Sequence, residues 1–161
     1  MSAARDEMID QITGFLRRIG IPVEAAPLPD GTFLPGMAIR SGVLVFDPAR
    51  DFQPGDLLHE AGHLAVADPA ARWDEPFVSS DGDEMATLAW SWAAACHLGI
   101  PAASLFHDQG YKGDGAWLAE TFGAGFYPGL PLLQCYGMTV APEAATADGP
   151  PPYPHMARWV R

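Results

Sequence analysis

Apolar residues recur at helical spacing near the start of the chain. Met8, Ile9, Ile12, Phe15, Leu16 and Ile19 fall on one stripe over residues 5 to 19, and Gly20 with Pro22 ends it. Residues 23 to 28 read as a short strand, followed by a turn at Pro27, Pro29, Asp30 and Gly31. Residues 37 to 46 predict two short strands folded at Ser41-Gly42. Val43 to Phe46, β-branched and aromatic without a polar break, is the inner one, and Asp47-Pro48 stops it. Helical spacing returns at Leu57, Leu58, Ala61, Leu64 and Ala65. Pro54 with Gly55 favours a turn in front, Asp56 is a suitable N-cap, and Asp68-Pro69 ends the helix. Residues 69 to 83, with two prolines and several acids, predict a long connection of the kind that forms a rim or lid.

A second helix is predicted from about Asp83 to Leu98. Met85, Leu88, Ala89, Trp90, Trp92 and Ala93 make it apolar nearly all round, so it belongs in the core. Gly99 and Pro101 are its stop signals. Beyond it the pattern weakens. Residues 102 to 106 form a short helical piece, and Gly115 to Phe122 a longer one with Trp117, Leu118 and Phe122 inward. A polar, glycine-rich loop from His107 to Gly115 separates them, and Leu130 to Met138 is apolar again. From Pro142 onward Pro, Ala, Gly and acids follow no period, which predicts an extended or disordered linker. Its aromatic and basic end, Tyr153 to Arg161, either docks on the acidic body or frays. The organisation expected is one domain over 1–140 and a Pro/Ala-rich tail over 141–161.

The length of 161 residues suffices for a real core. A formal net charge of -11 argues against nucleic-acid binding, which needs Lys and Arg for the phosphates. No apolar run reaches the roughly 20 residues of a membrane span. Residues 1 to 7 carry no basic region before an apolar block, so no signal peptide is expected. Cys96 and Cys135 lie far apart among apolar neighbours, and free buried thiols in a reducing, cytoplasmic compartment are expected.

The chemistry sits in the first core helix. His59-Glu60-Ala61-Gly62-His63 is a His-Glu-x-x-His pattern. Residues four apart share a helix face, so His59 and His63 can point at one metal ion. Glu60 is near enough to take a proton from a water that the metal activates. A catalytic zinc takes three protein ligands. A metzincin would supply a glycine and a third histidine further along, where this chain has Val66 and Pro69, so that class is excluded. The third ligand is therefore sought on the next helix, where Glu84 is preferred over Asp83, Asp81 and Glu75. The oxyanion donor of such a site is open among Tyr111, His107, Tyr127 and Tyr136. His97, 13 positions after Glu84, falls on the opposite side of a straight helix and is not a ligand.

These residues resemble the ImmA/IrrE-type compact gluzincins: an N-terminal helix, a small strand region, His59-Glu60-Ala61-Gly62-His63, then Glu84 opening an Ala- and aromatic-rich helix that reaches Pro101. The resemblance implies an α+β, zincin-like core over about residues 5 to 105, with a small, mostly antiparallel sheet. It implies Zn2+ on His59, His63 and Glu84, and Glu60 as the base. Residues 105 to 138 lie outside that core, and no helix-turn-helix region accompanies it. The function expected is a zinc metallopeptidase acting on a peptide or protein. A regulatory protein on a zincin scaffold without turnover, and a metal-dependent amidohydrolase for a small molecule, are the alternatives.

Overall fold

In the computed structural model, which describes residues 2–161, six α-helices pack around a three-stranded sheet in an α+β arrangement. Helix α1 (Ala3–Arg18) starts at Ser2, whose hydroxyl accepts the Arg5 amide proton. It lays Ile9, Ile12, Phe15 and Leu16 on the core. Strands β1 (Val23–Ala25), β2 (Met37–Arg40) and β3 (Val43–Phe46) follow. Their order is β1-β3-β2, so Val43–Phe46 is the inner strand that its composition predicts. The sheet is mixed, not mostly antiparallel: β3 pairs parallel with β1 and antiparallel with β2. The link over residues 26–36 carries the chain to the far edge, and the turn at Ser41 (φ 47°) and Gly42 (φ 79°) brings β3 back between the other two. Positive φ at both turn residues matches the twist of a tight hairpin.

Helices α2 (Pro54–Val66) and α3 (Asp81–Leu98) form the centre. Leu57, Leu58, Ala61, Leu64 and Ala65 are fully buried, as are Ala86, Ala89, Trp90 and Ala93 opposite them. Gly62 permits the close approach, since a Cβ there would meet Thr87 Cγ2 at 2.8 Å. Helix α2 starts earlier than expected. Pro54 opens it, where a missing N–H costs nothing, and Asp56 falls inside the first turn and is not the N-cap. Helix α3 is capped by Ser80, whose hydroxyl accepts the Asp83 amide proton at 3.1 Å, and Gly99 closes it in the left-handed conformation.

Helices α4 (Ala102–Leu105), α5 (Gly115–Gly123) and α6 (Leu130–Cys135) cover the other side of α3 and the start of α2. On α5, Leu118 and Phe122 are buried but Trp117 is 58% exposed, contrary to its inward assignment. Residues four apart share a face, and Trp117 stands about 100° away from Leu118. Cys96 and Cys135 are free, yet exposed and not buried. Each lies in the last turn of its helix, where apolar neighbours in sequence surround the backbone without covering the thiol.

The segment after Pro142 is extended, but it is not a free linker. It crosses α3 and ends against the last turn of α2. The Tyr153 hydroxyl donates to Ala89 O at 2.8 Å, Trp90 Nε1 donates to Trp159 O at 2.9 Å, and the Arg161 amide donates to Ala65 O at 2.9 Å. Trp159 packs against Phe15, Trp90 and His97. Among the described residues, no helix is long and apolar enough to cross a membrane.

Candidate metal centre

Helix α2 turns His59 and His63 toward the first turn of α3, with their Nε2 atoms 3.2 Å apart. Glu84 completes a triangle, its Oε1 3.2 Å from His59 Nε2 and its Oε2 3.3 Å from His63 Nε2. Four tetrahedral ligands about 2.05 Å from a zinc ion stand about 3.3 Å from one another. The two imidazoles therefore stand at ligand spacing from each other, and each stands at that spacing from one of the two Glu84 oxygens. Two imidazole lone pairs and a carboxylate so close repel one another unless a cation or a proton lies between them.

The ring of His63 is held from behind. Its Nδ1 is 3.1 Å from Ser79 Oγ and 3.3 Å from Thr87 Oγ1, which leaves Nε2 for the centre. Burial, and then the neighbouring His59, push its pKa down to about 4, so it is neutral at physiological pH, the state a metal ligand needs. His59 packs edge-on against Tyr111 at 5.4 Å, and its Nδ1 is buried without a partner. The hydrogen bond from His59 holds the Glu84 carboxyl below its ordinary range, and both histidines add to this electrostatically. Glu60 belongs to the same cluster: one of its carboxylate oxygens lies within 4.8 Å of a ring nitrogen of His59 and of His63, and these three could themselves hold an ion. Burial raises the pKa of Glu60 to about 7; His59 opposes the rise, while Glu84 and Asp56 add to it. A cation in the triangle would draw it down again.

Of the residues considered for the third position, only Glu84 is brought to the histidines. Asp83 Oδ1 accepts from the Tyr136 hydroxyl at 3.1 Å, Glu75 Oε2 accepts from the Ser41 amide at 2.7 Å, and Asp81 is exposed at the opening of α3. The candidates for an oxyanion donor separate as well. His107 Nε2 is 2.6 Å from Asp56 Oδ1 and is thereby occupied. Tyr136 is bound to Asp83, and Tyr127 packs on Phe122 and Tyr153. Tyr111 lines the site, and its hydroxyl is buried with no partner. Burial, reinforced by the carboxylates of Asp56, Glu84 and Glu60, lifts its pKa far above the usual value, so it remains a proton donor. His97 packs on Phe15 and Trp159, away from the centre.

Sequence reasoning missed Ser79 and Thr87. A signal for Thr87 existed: Glu84, Thr87 and Ser91 recur at three and four positions, a polar line along an otherwise apolar helix, and Thr87 and Ser91 are fully buried on it. Ser79 carried no such signal, because it acts from the connection just before the cap.

The centre opens on both sides. A cavity of about 520 Å³ is lined by Glu60, His63 and Glu84 and walled by Leu34, β2 and residues 77–79. A second, of about 290 Å³, is lined by His59, Glu60 and Glu84 and walled by residues 109–112. Phe33, Leu34, Glu60 and Glu84 border both, so the two lie side by side along the centre and are together termed the groove. Fold and site together describe an α+β protein with a His-His-Glu centre in an open groove. No family model, no curated protein and no solved structure matches this chain.

Proposed function

We propose that this chain is a zinc-dependent peptidase of the gluzincin type, on a zincin-like core similar to that of the ImmA/IrrE proteins. The observation that carries this reading is the His59–His63–Glu84 triangle, with edges of 3.2 to 3.3 Å, lying in a groove open on both sides. Zinc held there supplies Lewis acidity to the scissile carbonyl and to the attacking water. The Glu60 carboxylate takes the proton of that water and delivers it to the leaving amine. The Tyr111 hydroxyl, buried and unpartnered, donates to the oxygen that gains charge in the transition state. Ser79 and Thr87 fix the His63 ring, so the geometry is set before substrate arrives.

The peptide reading is favoured over a small-molecule amidohydrolase by the groove. One of its walls is β2, an edge strand of the sheet, which suits an extended backbone laid alongside it. It is favoured over a scaffold without turnover because the C-terminal segment packs along α3 and lines neither cavity.

The test is metal content and hydrolysis in parallel. Wild type should carry about one zinc per chain. His59→Ala and Glu84→Ala should lose it, and Glu60→Gln should keep it while losing turnover by at least about 100-fold. Full hydrolysis by Glu60→Gln, or no zinc uptake by the wild type after reconstitution, would overturn the proposal.

A further inference from the structure

We infer that the groove selects a peptide with a bulky apolar side chain on one side of the scissile bond and a carboxylate on the other, an inference that rests on the peptidase reading. The two cavities share Phe33, Leu34, Glu60 and Glu84, and only the smaller one adds a lysine. The larger cavity, about 520 Å³, is walled by Phe33, Leu34, Met37, Ile39, Phe77 and Val78. Phe33 is 98% exposed and Val78 80% exposed, on separate loops of a chain with net charge -11. Large apolar side chains left open around a polar centre mark a binding surface.

The wall that carries Phe77 and Val78 is fastened at both ends. The Trp73 ring lies on Gly42 so closely that any Cβ there would collide with it, and Glu75 Oε2 accepts the Ser41 amide proton at 2.7 Å. At the other end Ser79 Oγ meets His63 Nδ1. An apolar side chain thus enters a preformed wall and does not have to order a loop.

The smaller cavity, about 290 Å³, sets Lys112 beside the carboxylates of Asp56, Glu60 and Glu84 and the apolar Phe33 and Leu34. Lys112 is the only lysine of the chain and forms no ion pair among the described residues. Of the carboxylates that share its cavity, Asp56 is paired with His107 and Glu84 with the two histidines; the charge of Lys112 also acts on Glu84 without a direct ion pair. Tyr111 and Lys112 hold φ values of 56° and 53°, two consecutive non-glycine residues in the left-handed region. Such strain persists where surrounding structure enforces it, and it concentrates at binding sites. An acidic chain repels a carboxylate over most of its surface, and the one ammonium that lines the groove makes that the place where one docks. Either an acidic side chain or a free C-terminus supplies this chemistry.

The test is calorimetry with uncleavable reduced-amide tetrapeptides. They place Phe and Asp on either side of the isostere, in both orders, and are titrated into the zinc-loaded and the metal-free protein. Replacing Phe by Ala in the peptide should weaken binding by about 10-fold or more, and by less than about 3-fold in a Phe33→Ser/Val78→Ser variant, whose changes fall at exposed positions. Replacing Asp by Asn should cost about 3- to 5-fold at low salt, fade at high salt, and cost nothing in Lys112→Met. A peptide that keeps Asn but has a free C-terminus, compared with its amide, separates the two carboxylate sources. Ratios unchanged in the variants, or no binding by any of these peptides, overturn the inference. Hydrolysis without side-chain preference overturns it too and leaves the peptidase reading standing. Absence of hydrolysis from fully zinc-loaded protein overturns the peptidase reading, and the calorimetric ratios still decide this one.

Discussion

Glu60 should destabilise the metal-free protein above neutral pH. The residue is largely buried, and its pKa rises from 4.5 to about 7. A group whose folded pKa lies above its unfolded one leaves stability intact below the unfolded value and removes it as pH climbs through the folded value. For Glu60 that loss begins near pH 4.5 and is nearly complete beyond about 7. A displacement from 4.5 to about 7 corresponds to about 3 kcal/mol, a large share of the stability of a domain this size. His63 runs the other way. Its pKa falls from 6.5 to about 4, so the metal-free fold gains stability as pH rises through that window. The two slopes oppose each other, and the wild type should be nearly flat between about pH 4.5 and 6.5. Glu60→Gln removes one slope and exposes the other. The assay is urea unfolding of chelator-treated protein from about pH 5 to about pH 8, wild type beside Glu60→Gln. The variant should gain about 2.5 kcal/mol on the wild type across that range, since part of the loss precedes pH 5, whatever constant offset the amide introduces. A difference that does not change with pH would refute the reasoning, because the carboxylate would then not be paying for burial in the folded state.

Three further outcomes are expected. Thr87→Val combined with Ser79→Ala removes both partners of His63 Nδ1 and should weaken zinc binding by about 10- to 100-fold with the helices intact, measured by competition with a chelator dye. Tyr111→Phe should lower kcat by about 100-fold and leave KM and zinc content unchanged, since the lost hydroxyl has no partner in the resting protein; a rise in KM alone would assign it to binding. Trp159→Ala should cost about 2 kcal/mol in unfolding free energy, because the ring packs on Phe15, Trp90 and His97, and a neutral result would make the tail an ornament of the fold.

What the sequence made legible is what depends on near neighbours. His59 and His63 are joined by one helical turn, and Leu57, Leu58, Ala61, Leu64 and Ala65 mark the face that buries their helix, so both pattern and orientation are local. Ser41-Gly42 and Gly99 act through their own φ angles and were equally visible. Asp56 was misread for the same local reason. It has the chemistry of an N-cap, but Pro54 opens the helix first, and the carboxylate is used on His107, 51 positions away. Trp117 and the two cysteines show the complementary failure, since apolar neighbours along the chain do not say which side of a short helix is covered.

The tail and the supports of the site fail to show for a deeper reason. Residues 141–161 bury Tyr153 and Met156 and half-bury Trp159, but Pro150, Pro151, Pro152 and Pro154 rule out a helix there and break any strand, so a search for those two patterns finds nothing. The contacts that anchor the end of the tail are distant ones. Arg161 donates to Ala65 O and Val66 O, and Arg72 reaches from the other side to Arg161 O at 2.9 Å. These bonds take up carbonyls at the C-terminal end of α2, the same helix that carries His59 and His63. A helix end without partners frays, and fraying at Val66 lies less than one turn from His63. The aromatic, basic end of the chain thus bears on the helix of His59 and His63 through the backbone of α2, although it lines neither cavity.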